Sequence, residues 1–392
     1  MPPIPRVKDY SGAALFSYGF RPFFLLGAWY SAATIALWLP FFYGTLSIST
    51  VFAPRDWHIH EMLYGYLASA VAGFLLTAIP NWTGRLPLQG RPLIGLTAIW
   101  IAGRVAVSCS ASIGWGVSAV IDASFLFILA AAAAREIVAG KNWGNIKVLV
   151  PICVLGFGNA AFHVEAHIYG SAKYSTRIGV AAMIVLIMLI GGRIIPSFTR
   201  NWLVKQDAGR LPAPFNRFDI AAIAASAASL VLWIVEPAGT ATAATLATSG
   251  LLQTARLARW AGDRTWRNPL LLILHVGYGF VPAGFLLGAL AALDASFGSA
   301  AFHAWMVGAA GTMTLAVMTR ASLGHTGRAL KASPATVLIY CAVLVAALSR
   351  ICAAVEPSLG PILLPVAAVA WVCAFAGFGI VYLPLLGGAK AN

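Results

Sequence analysis

Seven histidines carry most of the chemistry legible in this chain, and they are not scattered. His58 and His60 stand at the head of one apolar run, His163 and His167 at the end of another, and His303 at the head of a third. His275 lies inside a run and His325 just beyond one. Neutral imidazole is the commonest nitrogen ligand for haem iron, copper and zinc. His163 and His167 are four apart, so a helix puts both on one face where they can grip one ion, although the same spacing also arises by chance. His58 and His60 are two apart, about 200° around a helix, so one ligates while the other hydrogen-bonds or joins a second centre. The same arithmetic groups His60 with Tyr64, His58 with Glu61 and Met62, and His303 with Met306. A thioether beside an imidazole suits Cu(I), and methionine also serves as filler at irregular helix interfaces. Glu61 and Glu165 adjoin these histidines, where a carboxylate is costly and usually has a partner or a proton-handling task. Each is a candidate to orient a ligating imidazole or to supply protons to a bound substrate. Asp122 has no such neighbour in sequence and is expected to pair with an arginine.

The elements that position these residues follow from composition. The chain has 392 residues, 60% hydrophobic and 10% charged, with a mean hydropathy of +0.83. A soluble domain carries about 25% charged residues; here too little polar surface exists to face water, and the chain reads as an all-α polytopic membrane protein. The five cysteines, Cys109, Cys153, Cys341, Cys352 and Cys373, form no CxxC or CxxCH spacing. Free thiols are expected, with no c-type haem and no iron–sulfur cluster. Residues 1–21 are polar and proline-containing, and the apolar run after them is too long for a cleaved signal peptide.

A helical span needs about 20 mostly apolar residues. Twelve such runs occur, approximately 22–43, 58–80, 93–111, 113–134, 148–169, 178–196, 217–236, 240–256, 269–291, 301–319, 333–354 and 361–385, making residues 1–392 a single integral membrane domain. Lys and Arg collect in cytoplasmic loops, and twelve spans put 21 of the 26 on one side. Both termini are therefore assigned to the cytoplasmic side. Arg55, Arg104, Lys173, Arg177 and Arg350 fall to the other side. The net charge of +14 is spread over all the cytoplasmic loops, which reads as topology and contact with the lipid bilayer rather than with nucleic acid. His58, His60, His163, His167 and His303 then share the outer depth, and His275 and His325 lie toward the cytoplasm.

A second constellation lies on the inner side. Three spans end in related polar signatures, from Ile79 to Arg85, from Arg193 to Asn201 and from Met318 to Arg328. Their recurrence every four spans suggests three four-helix units about a pseudo-threefold axis, or else endings made alike by the positive-inside preference. Arg85, Arg193, Arg200, Arg320 and Arg328, with Asn81 and Asn201, could converge on haem propionates, a phosphate head group or a quinone carbonyl, or serve as lipid-facing anchors. His275 and His325 could add a second ligand pair there.

Five runs, Phe16 to Phe24, Trp57 to Met62, Gly73 to Arg85, Ile195 to Asn201 and Met318 to Arg328, closely resemble the NnrS family of bacterial membrane proteins, and the resemblance extends along nearly the whole chain. It implies a twelve-span inner-membrane protein containing haem and copper, associated with denitrification and with resistance to nitric oxide and nitrosative stress. It does not name ligands, so the residue roles here come from topology. The haem–copper oxidases and respiratory nitric oxide reductases also hold haem with outer histidines on the second and tenth of twelve spans, as His58 or His60 and His303 are placed here. Their tandem His-His and HxH patterns are not reproduced in the usual places, which is fold-level analogy only.

The leading reading is redox chemistry on nitric oxide: a b-type haem held by histidines, and copper bound by His163, His167 and a third outer histidine. Glu61 or Glu165 would supply protons for reduction to N2O. Electrons would come from quinol or a periplasmic carrier, since no flavin, NAD or c-haem motif occurs. The alternatives are a transporter or a haem- or copper-handling protein with the histidines as a transit site, and a nitric oxide sensor without redox turnover.

Overall fold

The computed structural model describes residues 10–206 and 208–388; Arg6, Lys8 and Lys390, which enter the charge split, lie outside the described residues. The chain is 82% helical, with no strand among the described residues. Twelve long helices coincide with the twelve expected spans. In unit-independent chain order they are α1 Phe20–Phe42, α2 Pro54–Thr83, α3 Arg91–Ser108, α4 Trp115–Ala139, α5 Leu149–Tyr169 and α6 Tyr174–Leu203, then α7 Arg217–Val235, α8 Thr240–Ala258, α9 Pro269–Leu293, α10 Ala295–His325, α11 Pro334–Val355 and α12 Gly360–Gly387. Ten helices are long and apolar enough to cross a membrane. The other two, α3 and α8, have 18 and 19 residues but carry buried arginines, Arg104 and Arg256.

The connections place the two ends of α3, and the two ends of α8, at opposite ends of their neighbouring helices. Gly90 N–H donates to Phe16 O at 2.9 Å, and the Asn142 side-chain amide donates to Trp82 O. These bonds gather the chain before α1, the α2–α3 loop and the α4–α5 loop on one face. On the opposite face Ala111 N–H donates to Ser49 O at 3.0 Å and Val51 N–H to Ser110 Oγ at 2.9 Å, joining the α1–α2 and α3–α4 connections. Helix α3 therefore runs from one face to the other. For α8 the same argument rests on Ala213 N–H to Arg259 O at 2.9 Å at one end and Gly239 N–H to Ala292 O at 2.8 Å at the other. Arg21 closes the circuit: its Nη1 donates to Leu386 O at 3.1 Å and Gly388 O at 2.6 Å. A buried guanidinium thus caps orphan carbonyls at the end of the last helix, and the start of α1 and the end of α12 share a face, as an even number of crossings requires.

Packing gathers the helices into two compact units, residues 10–179, 318–329 and 375–388 in the first and 180–317 and 330–374 in the second. Where the loop signatures suggest three four-helix groups, side-chain packing makes two. Three of its boundaries fall inside α6, α10 and α12, and the fourth lies in the α10–α11 loop. All five cysteines are free thiols. Large apolar side chains such as Phe157 and Val231 are exposed, at 66% and 61%, as lipid-facing positions should be.

Local chemistry sets the helix ends. Gly84 and Gly170 stop α2 and α5 in the left-handed conformation at φ 70°, each returning its N–H to the carbonyl four residues back. Pro54 opens α2 and Pro334 opens α11 at first-turn positions where no N–H is needed. Asn216 and Asp219 form a reciprocal capping box on α7. Two helices contain a turn widened to i→i+5 bonding: Glu61–Tyr66 in α2 and Ala304–Gly311 in α10. Each follows directly on a histidine, His60 and His303, and such wide turns concentrate at functional sites.

A cysteine placed at Arg91 should react with an impermeant thiol reagent from one side of the membrane only, and one placed at Ser112 from the other side only. Labelling of both from the same side would remove α3 from the set of crossing helices.

Candidate metal centre

The most buried of the apolar helices is α2, and its first half holds a cluster of ionisable side chains in the first unit. His60, at the last α-helical position before the wide turn, and Glu61, at its first, are both fully buried. Helix α3 contributes Arg104, α4 Asp122, and α5 Asn159 and His163, all buried. Asp122 is the hub. Its Oδ2 lies 3.1 Å from His60 Nε2 and 3.0 Å from His163 Nε2, while Oδ1 takes a hydrogen bond from Arg104 Nη2. Arg104 Nη1 donates to Glu61 Oε2 at 2.7 Å, and the Tyr30 hydroxyl on α1 donates to the same oxygen. His60 Nδ1 meets Glu61 Oε1 at 2.8 Å, and His60 Nε2 meets Asn159 Oδ1 at 2.9 Å. One ligand atom from each of His60, Asp122 and His163 lies within 4.8 Å of the others.

The wide turn makes this arrangement possible. Gly65, inside it, gives its carbonyl to the Trp100 indole at 3.0 Å. A Cβ at Gly65 would stand 2.6 Å from Arg104 Nη1 and 3.2 Å from Glu61 Oε2, so only glycine lets the guanidinium reach the carboxylate there. Tyr64 extends between Gly158 on α5 and Gly179 on α6 to donate to Ser175 O at 2.8 Å. Phe52 and Phe162 close over the imidazoles, with ring centroids 5.1 Å from His60 and, for Phe52, 5.2 Å from His163.

Two physical observations point to a cation in the cluster. Both ring nitrogens of His60 face oxygen acceptors, carboxylates on each side. A neutral imidazole has one N–H and one lone pair, so a second positive species, a proton or a metal ion, has to lie between Nε2 and its acceptors. Two carboxylates against one guanidinium also leave one negative charge uncompensated in a low-dielectric interior. Beside them, buried donor or acceptor atoms of Arg104 (Nε), Asn159 (Nδ2), His163 (Nδ1), Ser118 and Thr34 have no hydrogen-bond partner, a concentration that a bound ion or ordered water would explain.

The structure separates residues that the sequence groups together. His167 stands one turn from His163 on α5 but is exposed and stacked on Trp115, centroids 4.2 Å apart; the partners of His163 come from α2 and α4 instead. His58 stacks on Trp38 at 4.2 Å. Glu61, grouped with His58 by regular helical arithmetic, bonds His60, because it begins the wide turn where that arithmetic no longer holds. Glu165 accepts from the backbone N–H groups of Lys173, Tyr174 and Ser175 at 2.7–2.8 Å and from the Ser175 hydroxyl, so its carboxylate caps the start of α6. His303 belongs to the second unit, where its Nδ1 bonds Ser299 O at 2.6 Å.

On the inner side, Arg85 pairs with Glu136 at 2.5 Å. Arg85, Arg320 and Arg328 belong to the first unit, and Arg193 and Arg200 to the second. His325 stacks on Tyr18 in the first unit, and His275 bonds Thr199 Oγ1 at 2.9 Å in the second. Arg104, counted from sequence as an outer-side charge, lies inside the membrane as the arginine partner of Asp122. Tyr30 and Asn159 gave no sequence signal, since a single Tyr or Asn in an apolar run is commonplace.

The NnrS protein family model matches residues 14–390. The chain belongs to the NnrS family. Comparison with curated proteins gave no match. Membership makes this a membrane protein of the nitric oxide response, and in this NnrS chain the buried His60–Asp122–His163 group is the set of side chains best arranged to hold a metal.

Replacing Arg104 with Ala leaves Glu61 and Asp122 buried without their guanidinium and should cost about 3–5 kcal/mol. Glu165→Ala, which removes only a helix cap, should cost about 0.5–2 kcal/mol. Thermal melts of the two purified variants in detergent check the ordering; equal losses would show that the cluster is not the more heavily relied-on feature.

Proposed function

We propose that this protein binds a transition-metal ion, copper, between His60, Asp122 and His163, and reduces nitric oxide there to N2O. The observation that carries the reading is the His60–Asp122–His163 group itself, whose ligand atoms lie within 4.8 Å of one another, with both His60 nitrogens facing oxygen acceptors that call for a positive charge, a proton or a metal ion, at Nε2. The donor set fits an ion. Imidazole nitrogens suit copper, the oxygen–nitrogen edges of 3.0 and 3.1 Å are close to those of ligands gathered around one ion at about 2.0–2.2 Å, and Glu61 on His60 Nδ1 supplies the outer hydrogen bond that orients a ligating imidazole. Haem b does not fit at this centre. Both His60 nitrogens are engaged and Phe52 and Phe162 pack against the rings, leaving no open face for a macrocycle.

Copper when bound supplies a one-electron couple and affinity for nitric oxide. The chain's residues do the rest. His60 and His163 present nitrogen donors, and Asp122 presents a negative oxygen. The aromatic shell of Phe52, Phe162 and Tyr64 limits water. Joining two nitric oxide molecules as N2O and water takes two electrons and two protons. Electrons come from quinol or a periplasmic carrier, and Glu61, hydrogen-bonded to both Tyr30 and His60, is the carboxylate placed to pass protons at Oε1 and Oε2. Glu165 is occupied as a helix cap and takes no part.

Purified protein should retain about one copper per chain, show a change in optical spectrum on reduction, and consume nitric oxide anaerobically with release of N2O. His60→Ala and His163→Ala should each lower metal content and nitric oxide consumption at least about tenfold. Full consumption by a metal-free variant would overturn the assignment, and retention of copper without any consumption would move the function to metal handling.

A further inference from the structure

We propose that Arg104 sets the valence of the ion held by His60, Asp122 and His163, so that the centre takes a singly charged cation in preference to a doubly charged one. The inference rests on the metal-centre reading and concerns a residue that is not itself a ligand. Arg104 Nη2 bonds Asp122 Oδ1, the oxygen opposite the one shared by the two imidazoles, and Nη1 bonds Glu61 Oε2 at 2.7 Å. The guanidinium is 5% exposed and both carboxylates are essentially inaccessible, so neither counterions nor bulk water can adjust the charge.

In such an interior the total charge of a closed cluster dominates which ion it accepts. Two carboxylates and one guanidinium leave a single negative charge, which one positive charge neutralises. A doubly charged ion would leave the enclosed cluster positive, beside a fixed cation, and each additional unit charge at a separation of about 5 Å costs several-fold to many-fold in affinity at protein-like dielectric. Arg104 is held there by design of its surroundings: Gly65 makes room for Nη1, and Gly103, the preceding residue, has the Asp122 backbone 3.2 Å from where its Cβ would be, bringing α3 and α4 together. An arginine placed so deeply without a charge to balance would be among the costliest side chains in the membrane.

The proposal makes charge, rather than the arginine itself, the determinant, and this can be tested with isosteric neutral variants. The detergent-purified full chain is titrated anaerobically with Cu(I) against bathocuproine disulfonate and, separately, with Zn(II) against a zinc-chelating dye. Wild type should prefer Cu(I). Arg104→Gln, which leaves two uncompensated carboxylates, should move the Cu(I)/Zn(II) affinity ratio toward zinc by at least about tenfold, whereas Arg104→Lys should keep the wild-type ratio. The double variant Glu61→Gln with Arg104→Gln again carries one negative charge and should return to the wild-type preference. An unchanged ratio in Arg104→Gln, or a double variant that stays zinc-preferring, would overturn the role of Arg104 while leaving the metal centre in place. If Arg104→Gln does not fold, Glu61→Gln alone, which leaves the cluster without net charge, should move the ratio further toward Cu(I), and an unchanged ratio there would overturn the proposal. Wild type that binds neither ion would remove the metal-centre reading, and this inference with it.

Discussion

Two carboxylates buried among apolar helices are the constraint around which the first unit is organised. Glu61 and Asp122 are inaccessible to water, and an isolated ionised carboxylate in such a place would be prohibitively costly. Compensation has to come from side chains on other helices: Arg104 from α3, His60 from α2, His163 and Asn159 from α5 and Tyr30 from α1. Five helices are thereby fixed to one another by directional bonds, which lipid-exposed apolar surfaces alone would not do, because hydrocarbon offers those surfaces as good a partner as another helix. The same bonds that hold the unit together assemble the donors of the candidate centre.

The second unit solves a related problem without histidines. Arg256 on α8 is fully buried, pairs with Asp219 on α7 at 3.0 Å, and donates to Met188 O and the Tyr278 hydroxyl at 3.0 and 2.8 Å. Tyr278 passes the chain of bonds to Gln253, whose amide donates to Ser226. The buried charges of Arg256 and Asp219 balance one for one, and the partly exposed Arg259 adds a second contact to Asp219. A buried arginine–aspartate pair occurs in both units, and the first adds to it a second carboxylate and two imidazoles.

These buried charges also explain why apolarity alone undercounts the crossings. Helices α3 and α8 are the two whose composition falls short of a typical span, and they are the ones that carry Arg104 and Arg256 into the interior. Arg104 and Arg256 are buried, so the usual penalty for a charge is replaced by hydrogen bonds inside the protein. The loops at their two ends are bonded to connections at opposite ends of the neighbouring helices.

Length and spacing of apolar runs, glycine and proline at the ends, and the asymmetry of Lys and Arg determined the helices and their order, because each of these is a local or one-dimensional consequence of a hydrocarbon slab of fixed thickness. The same counting put His60 and His163 at a common depth, and the structure brings them together. Which histidines meet did not. His163 has His167 one turn away on its own helix, yet it is directed to Asp122, and His60 is oriented by Glu61 through a widened turn that regular periodicity does not describe. Arg104 reads in sequence as one more basic residue of a topology tally, and Asn159 and Tyr30 as unremarked polar residues in apolar runs. Their role exists only when α1 to α5 are packed, since electrostatic compensation in a low-dielectric interior acts over a few ångströms in space and takes no account of separation along the chain.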